Sequence, residues 1–576
     1  MKLLIEDYPY PTDKVRGLLG GDEPFETDGV CRIGKVGYCY NPSIKDCVFI
    51  LPKVILDYHE SEKEDTVFKQ FNPVDIIDVD EAFREERLTP EQRDFMYNLS
   101  TWIYRAIAEF ARINSEQPEQ QRSRIIYRKQ FSNVSLNGQK SDGTLIDIIL
   151  SLIRFANENR NFFMFIIKNF HSGHNKINWN KTIASKTAIV NNTTPHYFEV
   201  VNKKKQINFD EELIIIIYSI LHYVREKYGF PVDLTFNYEL ITGAKFESYI
   251  NGLGKARLLQ IKYKYFSDKA LKLWNLCYCF FARLEQMASN PSCSEYLLVS
   301  NFNIVFETMI DELISDKNIP SQLRDQRDGK IVDHIYPNTS LISKSDIYYI
   351  GDSKYYKVGG SVHGNSEYKQ YTYARNVIHF NLKLFLKHRE DAFNRGALPY
   401  LDTLTDGYNV TPNFFISAEI DKEYSYSKPG IHVHKTKDGK NYTVSKHFDN
   451  RLFDRDTLWL AHYDINFLYV LALFVSPHQT VRDEFKNDIR NRFREHFIRL
   501  LEDKYEFFKF KISPDEMENF VTCNFRELTG KIFHFDDILI MALEKGHEDT
   551  SKLKNKYSEI ISDYKLPKHE LQDPTK

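Results

Sequence analysis

Two apolar runs joined by a polar turn constrain the fold of this chain more than any other feature. The segment from residue 330 to residue 357 reads KIVDHIYPNTSLISKSDIYYIGDSKYYK, and this pattern is typical of a β-hairpin. Asp333 lies in the first run, and Asp352 and Lys354 lie at the end of the second. Because residues i and i+2 of a strand point to the same face, we expect Asp352 and Lys354 to project together, with Asp333 beside them.

This combination of side chains predicts metal-assisted phosphodiester hydrolysis. Two carboxylates can hold a hard divalent ion, which polarises a phosphoryl group and activates water. A nearby lysine can orient the attacking water or balance charge in the transition state. Ligands that are all oxygens favour Mg²⁺, and no histidine cluster in the sequence indicates zinc. An Asp-x-Lys tripeptide also arises by chance, so the prediction depends on the residues around it.

Further polar residues flank the predicted hairpin. The preceding stretch NIVFETMIDELI is an apolar-striped helix on which Glu307 and Asp311 share a face. Either acid could reach the hairpin, and Glu307 is the preferred candidate. In the following stretch EYKQYTYARN, Gln370 and Tyr373 lie one helical turn apart and could support the site or contact a phosphate. The alternatives are that Glu307 faces solvent and that Gln370 and Tyr373 are surface or packing residues.

Length and charge set limits on the class of protein. The 576 residues allow three or four compact units with buried cores. The formal net charge of −3 means that no global positive field attracts nucleic acid, so a DNA-binding surface must be local.

The cysteines and the apolar runs indicate a cytoplasmic protein. Seven cysteines without CxxC spacing predict neither a zinc ribbon nor a disulfide framework. The start of the sequence, MKLLIEDYPYPTDK, turns acidic before the apolar core of a signal peptide could form. The most apolar run, residues 213–221, is too short to span a membrane and predicts a buried helix.

The order of sequence patterns predicts an α+β, multi-domain fold. Residues 1–88 are expected to form a β-rich N-terminal module, and residues 89–289 a mainly helical middle region that opens with an N-cap at Thr89. The hairpin and its flanking helices define a third domain at residues 290–480. A charged, helical C-terminal region is expected at residues 481–576.

The residues around the predicted site resemble those of a known family. The order of a helix acid, a strand acid and Asp-Ser-Lys is similar to that of PD-(D/E)xK nucleases, and GDSKYYK and YKQYTYARN resemble McrC-like and LlaJI-type restriction endonucleases. KINWNKTI at residues 176–183 and VGYCYNPSIKDCVFILPKV near the N-terminus extend the resemblance over most of the chain. Two departures are Val332 in place of the proline before the first acid, and a Gln-to-Tyr spacing one residue shorter than in RecB-type exonucleases.

The resemblance implies a role for each site residue. Asp333 and Asp352 would bind Mg²⁺, Glu307 would add a ligand or a water contact, and Lys354 would position the nucleophile. Trp179 matches the middle motif of the family, and a buried packing position is the simplest interpretation of that residue.

The resemblance also implies partners. The family's nuclease subunit works with a separate McrB-like AAA+ motor that binds and hydrolyses GTP, and it docks on that motor through its N-terminal part. This chain has no G-x-x-x-x-G-K-[ST] motif, so GTP is expected on the partner alone. The implied substrate is double-stranded DNA, cut as an antiviral defence, with dimerisation of nuclease domains as one route to a double-strand break. The rival hypotheses are a catalytically silent subunit that stimulates the GTPase and a stand-alone nuclease acting on RNA or repair intermediates.

Overall fold

Helices and strands alternate through several sheets, so the predicted α+β, multi-domain fold class is confirmed. The computed structural model describes the chain except for a set of segments: residues 20–24, 28, 60–63, 69, 120–121, 130–133, 137–138, 142–143, 161–175, 178, 192–193, 204–211, 233–238, 266, 290–294, 327–329, 357–363, 387–399, 421–423, 437–439, 442, 447–448 and 569–576. Among the helices of the described part, none is long and apolar enough to cross a lipid bilayer.

The chain divides into two compact units whose boundaries differ from the predicted ones. The first unit comprises Met1–Leu51, Pro73–Tyr104 and Arg124–Ser300, and the second comprises Pro52–Asn72, Arg105–Ser123 and Asn301–Lys576. The predicted boundaries after residues 88, 289 and 480 do not coincide with the boundaries of these two units. Pairing between strands that are distant in sequence determines this result.

The main sheet of the first unit joins three N-terminal strands to two later ones. Its strands are Lys2–Ile5 (β1), Lys35–Asn41 (β2), Asp46–Leu51 (β3), Ile126–Lys129 (β4) and Glu295–Ser300 (β5), in the order β1–β3–β2–β5–β4. β1 and β3 are parallel, and the other pairs are antiparallel. β5 thus lies between β2 and β4, which is why the N-terminal strands do not form a separate module.

Four long helices begin within the described residues before position 290. They are Pro90–Glu116 (α1), Leu145–Glu158 (α2), Glu212–Tyr228 (α3) and Asp268–Ser289 (α4). The predicted N-cap is confirmed, because the Thr89 hydroxyl accepts from the Gln92 amide at 3.2 Å and the Gln92 side chain accepts from the Thr89 amide at 2.9 Å. α3 contains the most apolar run and is largely buried, as expected.

Trp179, expected to be buried, is 51% exposed, so that prediction is wrong.

Short elements complete the described parts of the two units. In the first unit these elements are the strands Tyr10–Pro11, Phe25–Thr27, Val30–Arg32, Val134–Leu136, Gln139–Ser141, Lys176–Ile177, Ile189–Asn191, Thr194–His196 and Asn202–Lys203, and the helices Thr12–Val15, Val79–Arg84, Trp179–Ser185, Gly243–Ser248 and Gly254–Ile261. In the second unit they are the strands Leu56–His59, Glu64–Val67, Asp325–Gln326 and Lys330–Ile331, and the helix Ser321–Arg324.

A six-stranded mixed sheet forms the centre of the second unit. Its strands are His334–Thr339 (β6), Asp346–Lys354 (β7), Pro412–Glu419 (β8), His432–Val433 (β9), Thr443–Lys446 (β10) and Leu458–Asn466 (β11). β6 and β7 form the predicted antiparallel hairpin, β8 lies parallel to β7, and β11 lies parallel to β8. Both β9 and β10 pair antiparallel with β11.

Helices cover this sheet and hold the hairpin in place. They are Phe302–Ile314 (α5), Gly364–Leu386 (α6), Phe467–Val475 (α7) and Gln479–Lys504 (α8). α5 packs against β6 and β7 and also contacts α7 and α8, while α6 contacts β7 and β11. The α5 and α6 helices correspond to the two helices predicted on either side of the hairpin.

The C-terminal region is a mixed α/β layer rather than the expected helical tail. After α8, a four-stranded antiparallel sheet forms from Tyr505–Phe510 (β12), Ile532–Phe535 (β13), Ile538–Glu544 (β14) and Ile561–Asp563 (β15). Pro514–Leu528 (α9) and Glu548–Lys556 (α10) contribute Val521 and Leu553 to a core with Phe508 and Met541. The alternating apolar residues of β12 and β14 are buried in this core, which explains the strands.

A buried acid links the sheet and the helices of the first unit. Glu295, at the start of β5, is fully buried, and its Oε1 accepts hydrogen bonds from the Tyr38 hydroxyl at 2.9 Å and from the Leu145 amide at 2.8 Å. Burial raises the pKa of Glu295 to about 7, against the lowering effect of the Leu145 hydrogen bond and of the Arg283 charge. The acid therefore favours its protonated form inside the fold.

This pKa makes the stability of the first unit dependent on pH. The folded carboxyl keeps its proton up to about pH 7, whereas in the unfolded chain it releases the proton near 4.5. Folding takes up a proton in this window, so the stabilisation present below pH 4.5 is lost at about 1.4 kcal/mol per pH unit as the pH rises to 7. We expect Glu295→Gln to remove this slope and to raise the melting temperature at pH 8, measured by calorimetry from pH 5 to 8. The exposed Glu226→Gln serves as the control, and equal slopes for wild type and Glu295→Gln would contradict the assignment.

Candidate active site

The hairpin brings the predicted strand acids and the lysine together. β6 and β7 pair with His334 opposite Gly351, so Asp333, which directly precedes β6, lies opposite Asp352. Asp352 is 2% exposed and Lys354 is 8% exposed. The three predicted residues thus converge at one end of the hairpin, next to the parallel strand β8.

The glycine before Asp352 allows β8 to approach this end of the hairpin. A Cβ atom at Gly351 would lie 2.1 Å from the ring of Phe414, which packs over the glycine from β8. A larger residue would displace the Phe414 ring, which is packed in the core beside the hairpin. The GDSK sequence therefore fixes the position of Asp352 through backbone packing as well as through its own contacts.

Asp333 and Asp352 form a coupled carboxyl pair. Burial raises the pKa of Asp333, and its hydrogen bond with Asp352 together with the charges of Asp352 and Glu307 raises it further. Burial also acts to raise the pKa of Asp352, but the hydrogen bond with Asp333 and the positive charges of Lys354 and Lys369 lower it below its ordinary value. Since two neighbouring carboxylates repel each other, the pair favours one proton, and these opposite pKa shifts favour that proton on Asp333 rather than on Asp352.

Two lysines balance the charge of Asp352. The Lys354 ammonium forms an ion pair with Oδ2 of Asp352 and lies over the ring of Phe415 at 5.0 Å. Nζ of Lys369 lies 3.6 Å from Oδ1 of Asp352. Burial acts to lower the pKa of Lys369, but the charges of Asp352 and Asp333 raise it above its ordinary value. The side chains of both lysines are therefore directed at the same carboxylate.

Glu307 is an acid of α5 whose charge acts on this pair of carboxyl groups. Burial raises the pKa of Glu307, and the charge of Asp352 adds to that increase, against the opposing effect of His334. Asn303 donates a hydrogen bond to Oε1 of Glu307 at 3.5 Å. The structure thus places Glu307, the preferred candidate, where its charge acts on both strand acids.

Asp311, the alternative acid on α5, belongs to a structural network. It forms an ion pair with Arg324, and Nδ1 of His334 lies 3.6 Å from its Oδ1. The other nitrogen of His334, Nε2, lies 2.6 Å from the hydroxyl of Ser353. These contacts join α5 to both strands of the hairpin. Asp311 therefore stabilises the chain segment that carries Asp333 and does not join the carboxyl groups of Asp333 and Asp352.

The helix α6 brings Lys369 to the site, although the sequence pattern did not single out this residue. Gln370 is fully buried, and its Nε2 donates to the carbonyl of Phe414 at 3.3 Å, so it supports β8 and does not face a phosphate. Tyr373 is also buried, and its ring lies 5.3 Å from the Lys369 ammonium. Lys369 and Tyr373 are four residues apart and share a helix face. This spacing is the signal that could have identified Lys369.

The carboxyl groups of this site offer the oxygen ligands that Mg²⁺ prefers, but their ligand atoms do not all lie within 4.8 Å of one another, so side chains would have to move to enclose one ion. Glu307, Asp333 and Asp352 offer three carboxyl groups whose charges act on one another. In the metal-free protein, a proton on Asp333 reduces the repulsion within the pair. A bound Mg²⁺ would take the place of that proton and let both aspartates ionise.

No protein-family model, no curated protein and no solved structure matches the chain. The function of the site therefore has to be argued from its geometry and from the sequence motifs that converge there. The geometry contributes one point that the motifs lack, which is the strand register that sets Asp333 opposite Asp352 so that the charges of the two carboxyl groups interact.

Replacing Asp333 by asparagine tests the interaction between the Asp333 and Asp352 carboxyl groups. Folding now requires either a proton on Asp333 or a buried carboxylate beside Asp352, and a neutral amide at this position would avoid that cost while keeping a hydrogen bond to Asp352. We expect Asp333→Asn to stabilise the metal-free protein by about 1 kcal/mol, or about 2–4 °C in melting temperature. We also expect the variant to lose the thermal stabilisation that Mg²⁺ gives to the wild type.

The exposed Asp346, at the other end of β7, provides the matched control. Asp346→Asn should change neither the metal-free melting temperature nor the response to Mg²⁺. A lower melting temperature for metal-free Asp333→Asn, with its Mg²⁺ response retained, would show that the carboxyl pair is not a metal site.

Proposed function

We propose that this chain is a Mg²⁺-dependent DNA endonuclease that acts within a GTP-dependent restriction system. The observation that carries the proposal is the strand register that sets Asp333 opposite Asp352, with Lys354 paired to the Asp352 carboxylate and the charge of Glu307 acting on both acids. A coupled pair of acids with perturbed pKa values next to a lysine is characteristic of functional sites rather than of a packed core.

Asp333, Asp352 and Glu307 would hold the ion in this proposal. The chemistry that Mg²⁺ supplies when bound is polarisation of the scissile phosphoryl group and a lower pKa for a coordinated water. Phosphodiester hydrolysis forms one P–O bond to water and breaks one P–O bond of the nucleic-acid backbone. The three carboxylates would position this reaction, because they are held by two strands and a helix that pack together.

The two lysines have different proposed roles. Lys354 is 8% exposed and lies at the end of β7, so it would orient the attacking water and balance negative charge as it develops on the phosphoryl oxygens. The Lys369 side chain is 43% exposed, which lets it contact a backbone phosphate from the solvent side. This division places one cation at the reacting atoms and one at the substrate.

The remainder of the proposal concerns partners and follows the resemblance to McrC-like and LlaJI-type proteins. A cytoplasmic McrB-like AAA+ GTPase would deliver double-stranded DNA, and GTP would bind that partner alone. A double-strand break would need two nuclease sites, from two copies of this chain. The near-neutral net charge supports delivery by a partner over independent binding of nucleic acid.

Replacing Lys354 by alanine tests the catalytic assignment. The wild type and Lys354→Ala are each mixed with the proposed AAA+ GTPase partner, GTP, Mg²⁺ and phage-derived plasmid DNA. We expect the variant to cleave at least about 100-fold more slowly, because it lacks a cation at the developing negative charge. Lys344→Ala, in the exposed turn of the same hairpin, should cleave at the wild-type rate.

The other outcomes distinguish the rival functions. Pull-down of the AAA+ protein by Lys354→Ala, with GTPase stimulation retained, separates loss of chemistry from loss of assembly. Equal GTPase stimulation with no cleavage by the wild type would favour the catalytically silent assembly subunit. Cleavage of RNA or of branched DNA without any partner would favour the stand-alone nuclease.

A further inference from the structure

The sheet of the second unit assembles a histidine cluster that is not visible in the sequence. In register across β7, β8, β11 and β9 lie Lys354, Ser417, Asp464 and His432. Residues that are neighbours in register point to the same face of a sheet. Among the described residues, two groups have ligand atoms close enough to hold one metal ion, and Asp464 belongs to both groups: Glu419, His432 and Asp464, and His434, His462 and Asp464. The expectation that no histidine cluster exists is therefore corrected.

The ring of His432 directs Nε2 at two carboxylates. Its hydrogen bond with Glu419 raises the pKa of His432 to about 9, so a metal ion would displace a proton from Nε2. Nδ1 of His432 lies 2.9 Å from the carbonyl of Gly430, and since a carbonyl can only accept, Nδ1 carries a proton. The other nitrogen, Nε2, lies 3.1 Å from Oε2 of Glu419 and 3.6 Å from Oδ2 of Asp464. A backbone carbonyl that holds the distal N–H is the usual support of a metal-binding histidine.

These separations match those within a tetrahedral coordination shell. Two ligand atoms that each lie about 2.1 Å from a tetrahedral zinc ion are about 3.4 Å apart. The measured values of 3.1 and 3.6 Å lie on either side of this separation. The third separation, between the carboxylates of Glu419 and Asp464, is within 4.8 Å, so the three ligand atoms could close around one ion.

The second group of residues supports this site and does not form one. Nδ1 of His434 lies 2.8 and 3.0 Å from the two oxygens of Asp464, so this N–H donates to the carboxylate and fixes its orientation. The rings of His434 and His462 are stacked, with centroids 4.2 Å apart and planes at 22°. Nitrogen lone pairs lie in the ring plane, so stacked rings do not converge on one ion. Nε2 of His462 instead lies 2.6 Å from the hydroxyl of Ser417.

We propose that Glu419, His432 and Asp464 form a second metal site, which binds a first-row transition ion such as Zn²⁺ in preference to Mg²⁺. Imidazole nitrogen is a ligand that Zn²⁺ accepts readily and that Mg²⁺ disfavours. The side chains of His432 and Glu419 are 52% and 37% exposed, which leaves a fourth position open to water or to an anionic oxygen such as that of a phosphate.

This site is separate from the candidate nuclease site and does not depend on the proposed function. Asp464 is two strands away from Lys354, a separation of about 10 Å between backbones. The two sites share no ligand. They also differ in chemistry, because Asp333, Asp352 and Glu307 offer oxygen alone.

Metal titration of the full-length chain tests the proposal. We expect the wild type to bind one equivalent of Zn²⁺ in the presence of excess Mg²⁺, and to bind Co²⁺ with visible d–d absorption but no thiolate charge-transfer band. The second spectral criterion excludes binding by the cysteines, of which Cys523 is exposed. We expect His432→Ala and Glu419→Gln to weaken Zn²⁺ binding by at least about 100-fold, because each removes a direct ligand.

Two control variants make the result specific. His478→Ala removes an exposed histidine outside the cluster and should leave Zn²⁺ binding unchanged. Asp333→Asn should also leave it unchanged, because the nuclease site is separate. Absence of Zn²⁺ binding by the wild type, equal affinity of His432→Ala and wild type, or loss of Zn²⁺ binding in Asp333→Asn would each overturn the proposal.

Discussion

Two carboxyl groups held in contact at the end of a buried hairpin determine how the centre of the second unit is built. Asp333 and Asp352 are brought together by the register of β6 and β7, and their repulsion opposes folding unless charge is compensated. The compensation comes from Lys354 on the same strand and from Lys369 on α6. A fold selected only for stability would have no reason to keep such a pair buried, and this is why the contact indicates function.

Local patterns made most of this site predictable from the sequence. The hairpin was predictable because both strands and their turn lie within 28 consecutive residues, and Glu307 because α5 has a clear apolar stripe. The orientation of α6 was not predictable in the same way. Aromatic residues occur on several of its faces, so the sequence does not show which face packs on the sheet. Gln370 consequently lies in the core against β8, and Lys369 lies at the site.

Long-range pairing accounts for the parts that sequence patterns did not reveal. His432 and Asp464 become neighbours only because β9 pairs with β11, and Glu419 joins them because β8 lies parallel to β11. Nothing local specifies these registers. The C-terminal sheet is different, because its hairpin signal is local: IFHFDDILIMALE places two apolar strands around an Asp-Asp turn, with Asp536 at φ 48°. The strongly charged helix α8 before it obscured that pattern.

The two proposed metal sites change how metal dependence has to be interpreted. A strong chelator would remove ions from both sites, so loss of cleavage in its presence would not identify which ion the reaction needs. The proposed ligands would separate the two sites, because three carboxylates would favour a hard ion whereas His432 with two carboxylates would favour a softer one. Restoring activity with Mg²⁺ alone would assign the chemistry to Asp333 and Asp352. A requirement for Zn²⁺ as well would show that the proposed site of Glu419, His432 and Asp464 is also needed for cleavage.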